Sequence, residues 1–390
     1  MVTNLPAEAK HKWAEVVACR SIPEKIRLMR EFLSLVPKHK GTSRLVANVK
    51  RRIAELEREL ERSKARRRGG GFGFAIAKEG AGQIVILGPP NVGKSALLAS
   101  VTNAKPEISP LPFTTRKPTP GMFQYEDIQF QLVEAPAIVE GAAEGRMGGT
   151  QTLSLARNAD GLILMVDLSD NPVKQFAVLS SELEKAGVLI EKPEGEVEVI
   201  RRGYGIGIQI VGGGTLVDCT YEDVRRLLKS FRITSALIRI SGKVSLSDIE
   251  DSLFSNNIYK PTIIIANKAD SPNTEANTRM LKEALEGRSL TLLVASCLKN
   301  RGLRDLGRSI FQMLEVIRVY TKEPLSKKPS GKPLVVKKGT SVIEIAKRLH
   351  SEMYRSFKYA RIWGPSAKYP GEKVGSSHIL MDGDIVEIHY

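Results

Sequence analysis

Residues Gly88-Pro89-Pro90-Asn91-Val92-Gly93-Lys94-Ser95 fit the pattern GxxxxGK[ST]. They follow the short apolar run 84–87 and open a helix-forming segment that starts at Ser95 and reaches about Asn103. This order of strand, small-residue loop and helix constrains the chain more than any other feature. Small residues let backbone N–H groups wrap the α- and β-phosphates of a nucleotide, while the helix N-terminus favours negative charge. Lys94 would neutralise charge at the β/γ position, and the Ser95 hydroxyl would ligate Mg²⁺. An ordinary glycine-rich turn has no need of that context.

The pattern around the loop predicts a parallel α/β sheet. Apolar runs at 84–87, 128–133, 162–166, 262–266 and 291–295 alternate with helical segments. Asn267-Lys268-Ala269-Asp270 follows the fourth run, at the carboxyl rim where such sheets bind ligands. Asp270 would accept from guanine N1–H and the exocyclic amine, donors that adenine lacks. Lys268 would lie over the base plane, and Asn267 would tie this loop to the phosphate loop. Ser296-Cys297, after the last run, would supply a backbone N–H to guanine O6. The expected ligands are therefore GTP and GDP.

Two segments between these motifs are placed to sense the γ-phosphate. Thr114 and Thr115 each offer a hydroxyl and a backbone N–H for Mg²⁺ and the γ-phosphate, and Thr115 is favoured. Glu134-Ala135-Pro136-Ala137 follows the run 128–133, where a phosphate-loop enzyme wants an Asp for the Mg²⁺ shell and a Gly beside the γ-phosphate. Glu134 keeps the charge on a longer arm. Ala137 disfavours any left-handed geometry that a glycine would accept, which predicts impaired switching.

Composition narrows the partners. The 390 residues carry a net charge of +16, and residues 38–68 alone hold twelve Lys/Arg against four Glu. Within that basic stretch Leu45, Val49, Ile53, Leu56 and Leu60 form one helical stripe; Ile22, Ile26, Met29 and Leu33 form another upstream. These stripes predict a helical hairpin over 1–68, whose charged outer face is either solvated or bound to phosphate backbone. The three cysteines, Cys19, Cys219 and Cys297, lie far apart with no CxxC, arguing against a disulfide framework or a structural zinc site. No apolar run approaches a membrane span, so the expectation is a cytoplasmic chain with no membrane partner.

The remaining boundaries follow from texture. A glycine-rich linker is expected over 69–82, a nucleotide domain over 83–323 with an α+β insertion at 187–259, a linker at 324–332 and a β/α tail at 333–390. In the tail, Ser341 and Glu344 form a capping-box pattern opening the helix 342–350, and residues 381–384 read as a turn between 379–380 and 385–388. Gly203, Gly205, Gly207 and Gly212–214 read better as a hairpin with close backbone approach than as a second nucleotide loop, because no helix starts directly after the first set. Tyr359 and Trp363 read as core, with stacking on RNA bases the alternative, and His350 and His378 read as isolated surface residues.

Taken together these residues resemble the developmentally regulated GTP-binding proteins of the Obg group, in an archaeal-type form. The resemblance rests on the basic hairpin, residues 88–95, Pro112 to Thr115, Glu140 to Arg146, the insertion before Asn267, and Phe357 to Gly364 with Ser366, Ala367, Lys368, Val374 and Gly375. It implies a Ras-like P-loop GTPase domain, an insertion resembling the second domain of a ribosomal S5-type fold, and a C-terminal β-grasp (TGS) domain. It also implies a GTPase working in translation on ribosomes or structured RNA, its hairpin and TGS domain touching ribosome or RNA, while docking of a protein partner at the TGS domain is left open by the sequence. Relatives commonly lack a catalytic Gln after the switch glycine; Ile138 stands there. In cation-dependent relatives an Asn in the phosphate loop helps hold K⁺, and Asn91 matches it. Beside this reading stand a nucleotide-dependent scaffold with little turnover, motivated by Glu134 and Ala137, and a basic RNA-binding protein whose nucleotide domain is only structural.

Overall fold

The computed structural model describes residues 5–19, 21–37, 42–67, 76–104, 117–201, 207–231, 233–254, 257–272, 274–324, 326 and 328–390. Thr114 and Thr115, the glycine-rich exit at 69–75, and Gly203 and Gly205 lie outside them. The chain forms two compact units, one of Met1–Gly73 with Leu183–Tyr259 and one of Phe74–Glu182 with Lys260–Tyr390.

The second unit is built on a six-stranded sheet in the order Thr291–Val294, Thr262–Asn267, Gly161–Asp167, Gln83–Leu87, Ile128–Glu134, Thr119–Tyr125. The first five strands are parallel and the last is antiparallel. Gln83–Leu87 is buried along its whole length, as a central parallel strand covered on both faces must be. One face carries Leu97 and Leu98 of helix Lys94–Val101 and Leu306 and Ile310 of helix Leu306–Met313, packed on Ile84, Ile86, Phe130 and Ile163. The apolar runs of the sequence are thus the observed strands. Thr119–Tyr125 had no such signature, because it is an edge strand whose outer N–H groups need no partner, so Pro120 and Gly121 are tolerated there.

The same unit holds a second sheet, ordered Leu334–Lys337, Val316–Thr321, Asp384–His389, Tyr359–Trp363, Glu372–Val374. Helix Val342–Leu349 covers one face, and its Ser341–Glu344 capping box is formed. Strand Val316–Thr321, which the sequence placed at the end of the nucleotide domain, instead pairs in parallel with Asp384–His389 and belongs to this sheet. A parallel partner distant in sequence leaves no local signal. The 381–384 turn is closed by Asp384 N–H on the Met381 carbonyl (3.2 Å), but Ile379 bridges Ser341 rather than pairing with the strand that follows.

The two sheets are joined at Arg318. Its guanidinium donates to Asp382 (2.7 and 3.1 Å), to Asp127 (3.1 Å) and to Glu126, and lies 5.3 Å from the Phe311 ring centre. Asp127 also accepts from the Tyr320 hydroxyl. Glu126 and Asp127 form the turn between Thr119–Tyr125 and Ile128–Glu134, so one side chain ties the C-terminal sheet to the first sheet.

In the first unit the expected two-helix hairpin is a three-helix array, Ala7–Ala18, Ile22–Leu35 and Ser43–Arg67. The added helix buries Ala9, Trp13 and Val16, a stripe inconspicuous in sequence because one of its members is alanine. Trp13, Met29, Phe32 and Val49 share one core with Leu228, Phe231, Ile238, Val244 and Ile249 of the insertion. Asn48 donates to Asp251 (3.4 Å) and Arg51 to Asn257 (3.3 Å). Helix Tyr221–Ser230 is where the sequence placed it. The hairpin expected from the glycines is not formed: Gly195–Arg201 and Ile208–Val211 lie on opposite sides of Ala236–Ser245. The close approach is real, since a Cβ on Gly212 would lie 2.1 Å from the Ile240 carbonyl oxygen.

Arg318→Ala leaves three carboxylates without their shared cation. It is expected to cost about 2 kcal/mol and to separate unfolding of the C-terminal sheet from that of the first sheet, read by calorimetry as an added lower-temperature transition.

Candidate functional site

The loop 88–93 leaves the central strand Gln83–Leu87 and turns into helix Lys94–Val101 through Gly93, which has φ 98°. A side chain there would be strained, and its Cβ would lie 2.3 Å from the Asn267 Nδ2. Asn91, at the exposed tip, is left-handed with φ 60°. Lys94 is buried and folds over the loop, its Nζ donating to the Gly88 (3.1 Å) and Pro89 (2.8 Å) carbonyls. Burial pushes its pKa down to about 8, against the attraction of the Glu134 carboxylate.

Glu134 ends the strand beside Gln83–Leu87, in register with Ile86, and is buried. The Ser95 hydroxyl donates to Glu134 Oε1 at 2.5 Å. The longer arm of glutamate thus reaches the phosphate-loop serine directly. The next residues run back along the loop, with Ala135 N–H on the Ile86 carbonyl (3.2 Å) and Ile138 N–H on the Gly88 carbonyl (3.1 Å). Ala137 is not in a left-handed conformation, so the strain expected of an alanine there does not arise. The Ile138 side chain is buried and presents no polar group to the loop. Serine and carboxylate oxygens, both hard donors, fit Mg²⁺, which takes few protein ligands when phosphates supply the others. Among the described residues no group of three or more His, Cys, Asp or Glu could hold a metal by itself.

At the opposite side Asn267 ends strand Thr262–Asn267 and is buried. Its Nδ2 donates to the Val92 carbonyl (2.8 Å), and its Oδ1 accepts from Cys297 N–H (3.0 Å). One amide therefore joins the phosphate loop, the 267–270 loop and the 296–297 loop. The Cys297 N–H expected to read guanine O6 is engaged by Asn267 here. The Cys297 thiol is pushed up to about 12 by burial and Asp270 beside it, which leaves it unreactive. The Ser296 hydroxyl donates to Asp270 Oδ1 (2.6 Å), which holds the Asp270 carboxyl below its ordinary pKa and fixes its plane. Lys268, left-handed with φ 64°, forms an ion pair with Asp167.

Sequence reasoning missed two residues of this site. Asp167, at the carboxyl end of strand Gly161–Asp167, orients Lys268; its place on the ligand-binding rim was the available signal. Glu182, on helix Pro172–Lys185, accepts from Gly141 N–H (3.2 Å) and Ala143 N–H (2.7 Å) and so anchors the segment after Ile138. It is buried, and nothing in its helical pattern marked it.

Comparison with known proteins agrees with this geometry. Residues 83–196 match the family described as 50S ribosome-binding GTPase, 205–316 the C-terminal region of that domain, and 317–390 the TGS domain. An uncharacterized GTP-binding protein of Methanocaldococcus jannaschii is 34% identical over 384 residues, 97% of this chain and 95% of that protein. Developmentally-regulated GTP-binding protein 2 of Mus musculus is 29% identical over 367 residues, 94% of this chain and 99% of that protein. The structure of the Schizosaccharomyces pombe YchF GTPase aligns with 82% of this chain and 100% of its own at 14% identity and a TM-score of 0.47. Fold and motifs define a GTP-binding protein of the P-loop GTPase class. Within that class, the chain belongs to the developmentally regulated GTP-binding family, with a TGS domain at its C-terminus. Among the described residues no helix is long and apolar enough to cross a membrane.

A phosphate held by Lys94 would be met by its ammonium form. Below pH 8 the free protein already carries that charge; above it, binding must take up a proton. GDP affinity is therefore expected to hold from pH 6.5 to about 8 and then to fall by about tenfold per pH unit, measured by calorimetry.

Proposed function

We propose that this protein hydrolyses GTP to GDP and phosphate, using Mg²⁺ and assisted by K⁺, and that it works on ribosomes or structured RNA. The observation that supports the reading is the Asn267 amide, which joins the loop 88–93 to the 267–270 and 296–297 loops. The loop N–H groups and Lys94 would take the phosphates, and Asp270, oriented by Ser296, would select guanine. Cys297 N–H would reach O6 by sharing or leaving its bond to Asn267. Ser95 and Glu134, joined by Thr115, would hold Mg²⁺, which would supply positive charge to offset the negative charge that develops on the phosphates. Asn91 would contribute to K⁺ binding at the loop tip.

Ile138 cannot orient water, so this chain's contribution is electrostatic positioning rather than base catalysis. Turnover therefore depends on the charge gathered at the loop. The +16 net charge and the basic helix Ser43–Arg67 support an anionic partner such as ribosomal RNA. A chain with this site is expected to turn over GTP faster in K⁺ than in Na⁺, and faster again with ribosomes. Equal and negligible turnover in all these conditions, with tight GTP binding, would contradict hydrolysis. Glu134→Asp with Ala137→Gly then asks whether those two residues are the block.

Base selection has its own test. Asp270→Asn exchanges an acceptor for a donor, so the preference should move from guanine to xanthine nucleotides by about 100-fold or more, measured by competition. Retained guanine selectivity would remove Asp270 from the base site.

A further inference from the structure

Helix Pro172–Lys185 holds on to the nucleotide site at two places. Its Gln175 Oε1 accepts from Asp167 N–H (2.8 Å), and Asp167 is the residue paired with Lys268. Seven residues on, Glu182 accepts from Gly141 N–H (3.2 Å) and Ala143 N–H (2.7 Å), one through each carboxylate oxygen. Positions seven apart share one face of a helix, two turns or about 10 Å from each other. One element therefore runs from the end of strand Gly161–Asp167 to the segment that follows Ile138. Phe176, Leu179 and Leu183 of this helix are buried, and Glu182 is buried among the same turns. A carboxylate in such a place carries a desolvation cost that an apolar side chain would not. Two backbone N–H groups offset it, and both would lose their acceptor with the carboxylate.

This grip divides the segment into two parts. Ile138 N–H is held on the Gly88 carbonyl (3.1 Å) and residues 141–143 are held on Glu182, with Ala142 and Ala143 buried. A Cβ on Gly149 would lie 2.5 Å from Ala142, so the start of helix Gly149–Asn158 closes over the same residues. Residues 144–148 are exposed, and three of them are left-handed: Gly145 (φ 106°), Met147 (φ 50°) and Gly148 (φ 73°). Methionine is strained in that conformation. Glu182 stands between this strained, exposed stretch and the phosphate loop. The Gly88 carbonyl also accepts from Lys94 Nζ (3.1 Å), a bond given up when Lys94 turns to a phosphate. The backbone at 137–138 is then placed by Ile138 N–H at one end and by Glu182 at the other.

We propose that Glu182 is the positioning residue for the γ-phosphate: its carboxylate keeps the 137–143 backbone where it meets the third phosphate of GTP, so that triphosphate binding depends on it and diphosphate binding does not. The inference rests on the GTP reading above and deepens it by assigning the residue that sets discrimination between GTP and GDP. The Ile138 side chain is buried and apolar, so the backbone is what this segment offers the γ-phosphate. GDP ends at the β-phosphate, which the 88–95 loop and Lys94 would take. A glutamate that only filled the core would support both nucleotides equally.

The test uses the full chain with Glu182→Ala and Glu182→Gln, titrated by calorimetry with GDP and with the β,γ-imido analogue of GTP in Mg²⁺ and K⁺ buffer. Glu182→Ala should bind the analogue about tenfold more weakly than wild type, and GDP within about twofold of it. Glu182→Gln has the same shape and keeps one acceptor, so it should lose about threefold for the analogue alone, and it carries the test if the alanine variant does not fold. Amide exchange at Gly141 and Ala143 should be about tenfold faster in the variant that loses the analogue. An equal loss for both nucleotides would make Glu182 a structural residue and overturn the proposal, as would an unchanged affinity ratio or unchanged amide exchange. Because the imido analogue is not hydrolysed, the ratio decides the role of Glu182 independently of turnover; absence of turnover would contradict the hydrolysis reading alone. A wild-type chain that binds neither nucleotide would overturn both.

Discussion

The nucleotide site depends on one buried side chain. Asn267 donates to the phosphate-loop carbonyl of Val92 and accepts from Cys297 N–H, so three loops from three separate strands are fixed by one planar amide. In a parallel sheet these loops leave the same rim, but nothing in the sheet ladder sets their mutual spacing. A buried amide with both ends engaged does, because releasing either end would strand a buried polar group. Gly93 is forced by the same contact, since any Cβ there would strike the Asn267 amide.

A second constraint operates at the switch strand. Its residues 128–134 link the turn held by Arg318 at one end to Ser95 at the other. Glu134 is long enough to hydrogen-bond Ser95 without intervening groups, and Ala137 keeps an unstrained backbone. The two departures from the usual Asp and Gly are therefore compatible with an intact loop.

Much of this was legible in the sequence. Residues 88–95 and 267–270 stood out as motifs of fixed spacing, and the structure brings them together through the Asn267 amide. The buried strands were legible as uninterrupted apolar runs. Edge strand Thr119–Tyr125 was not, because an edge tolerates Pro120 and Gly121. Strand Val316–Thr321 was misassigned because its parallel partner lies far along the chain. Helix Ala7–Ala18 hid because an alanine interrupts its stripe of Trp13 and Val16, and Glu182 behind an ordinary helical pattern. Tyr359 and Trp363 were read as core on residue type; only the register of the C-terminal sheet shows which face they occupy. Local chemistry is written locally, whereas faces and partners are decided by pairings that the sequence does not state.

The central claim is that Asn267 couples the phosphate and base loops into one site. Titration of Asn267→Ala with GDP by calorimetry, with circular dichroism confirming the fold, tests it most directly. The account predicts a loss of about 100-fold in affinity, because both loops lose their common support. Wild-type affinity in that variant would contradict it and leave the two loops as independent elements.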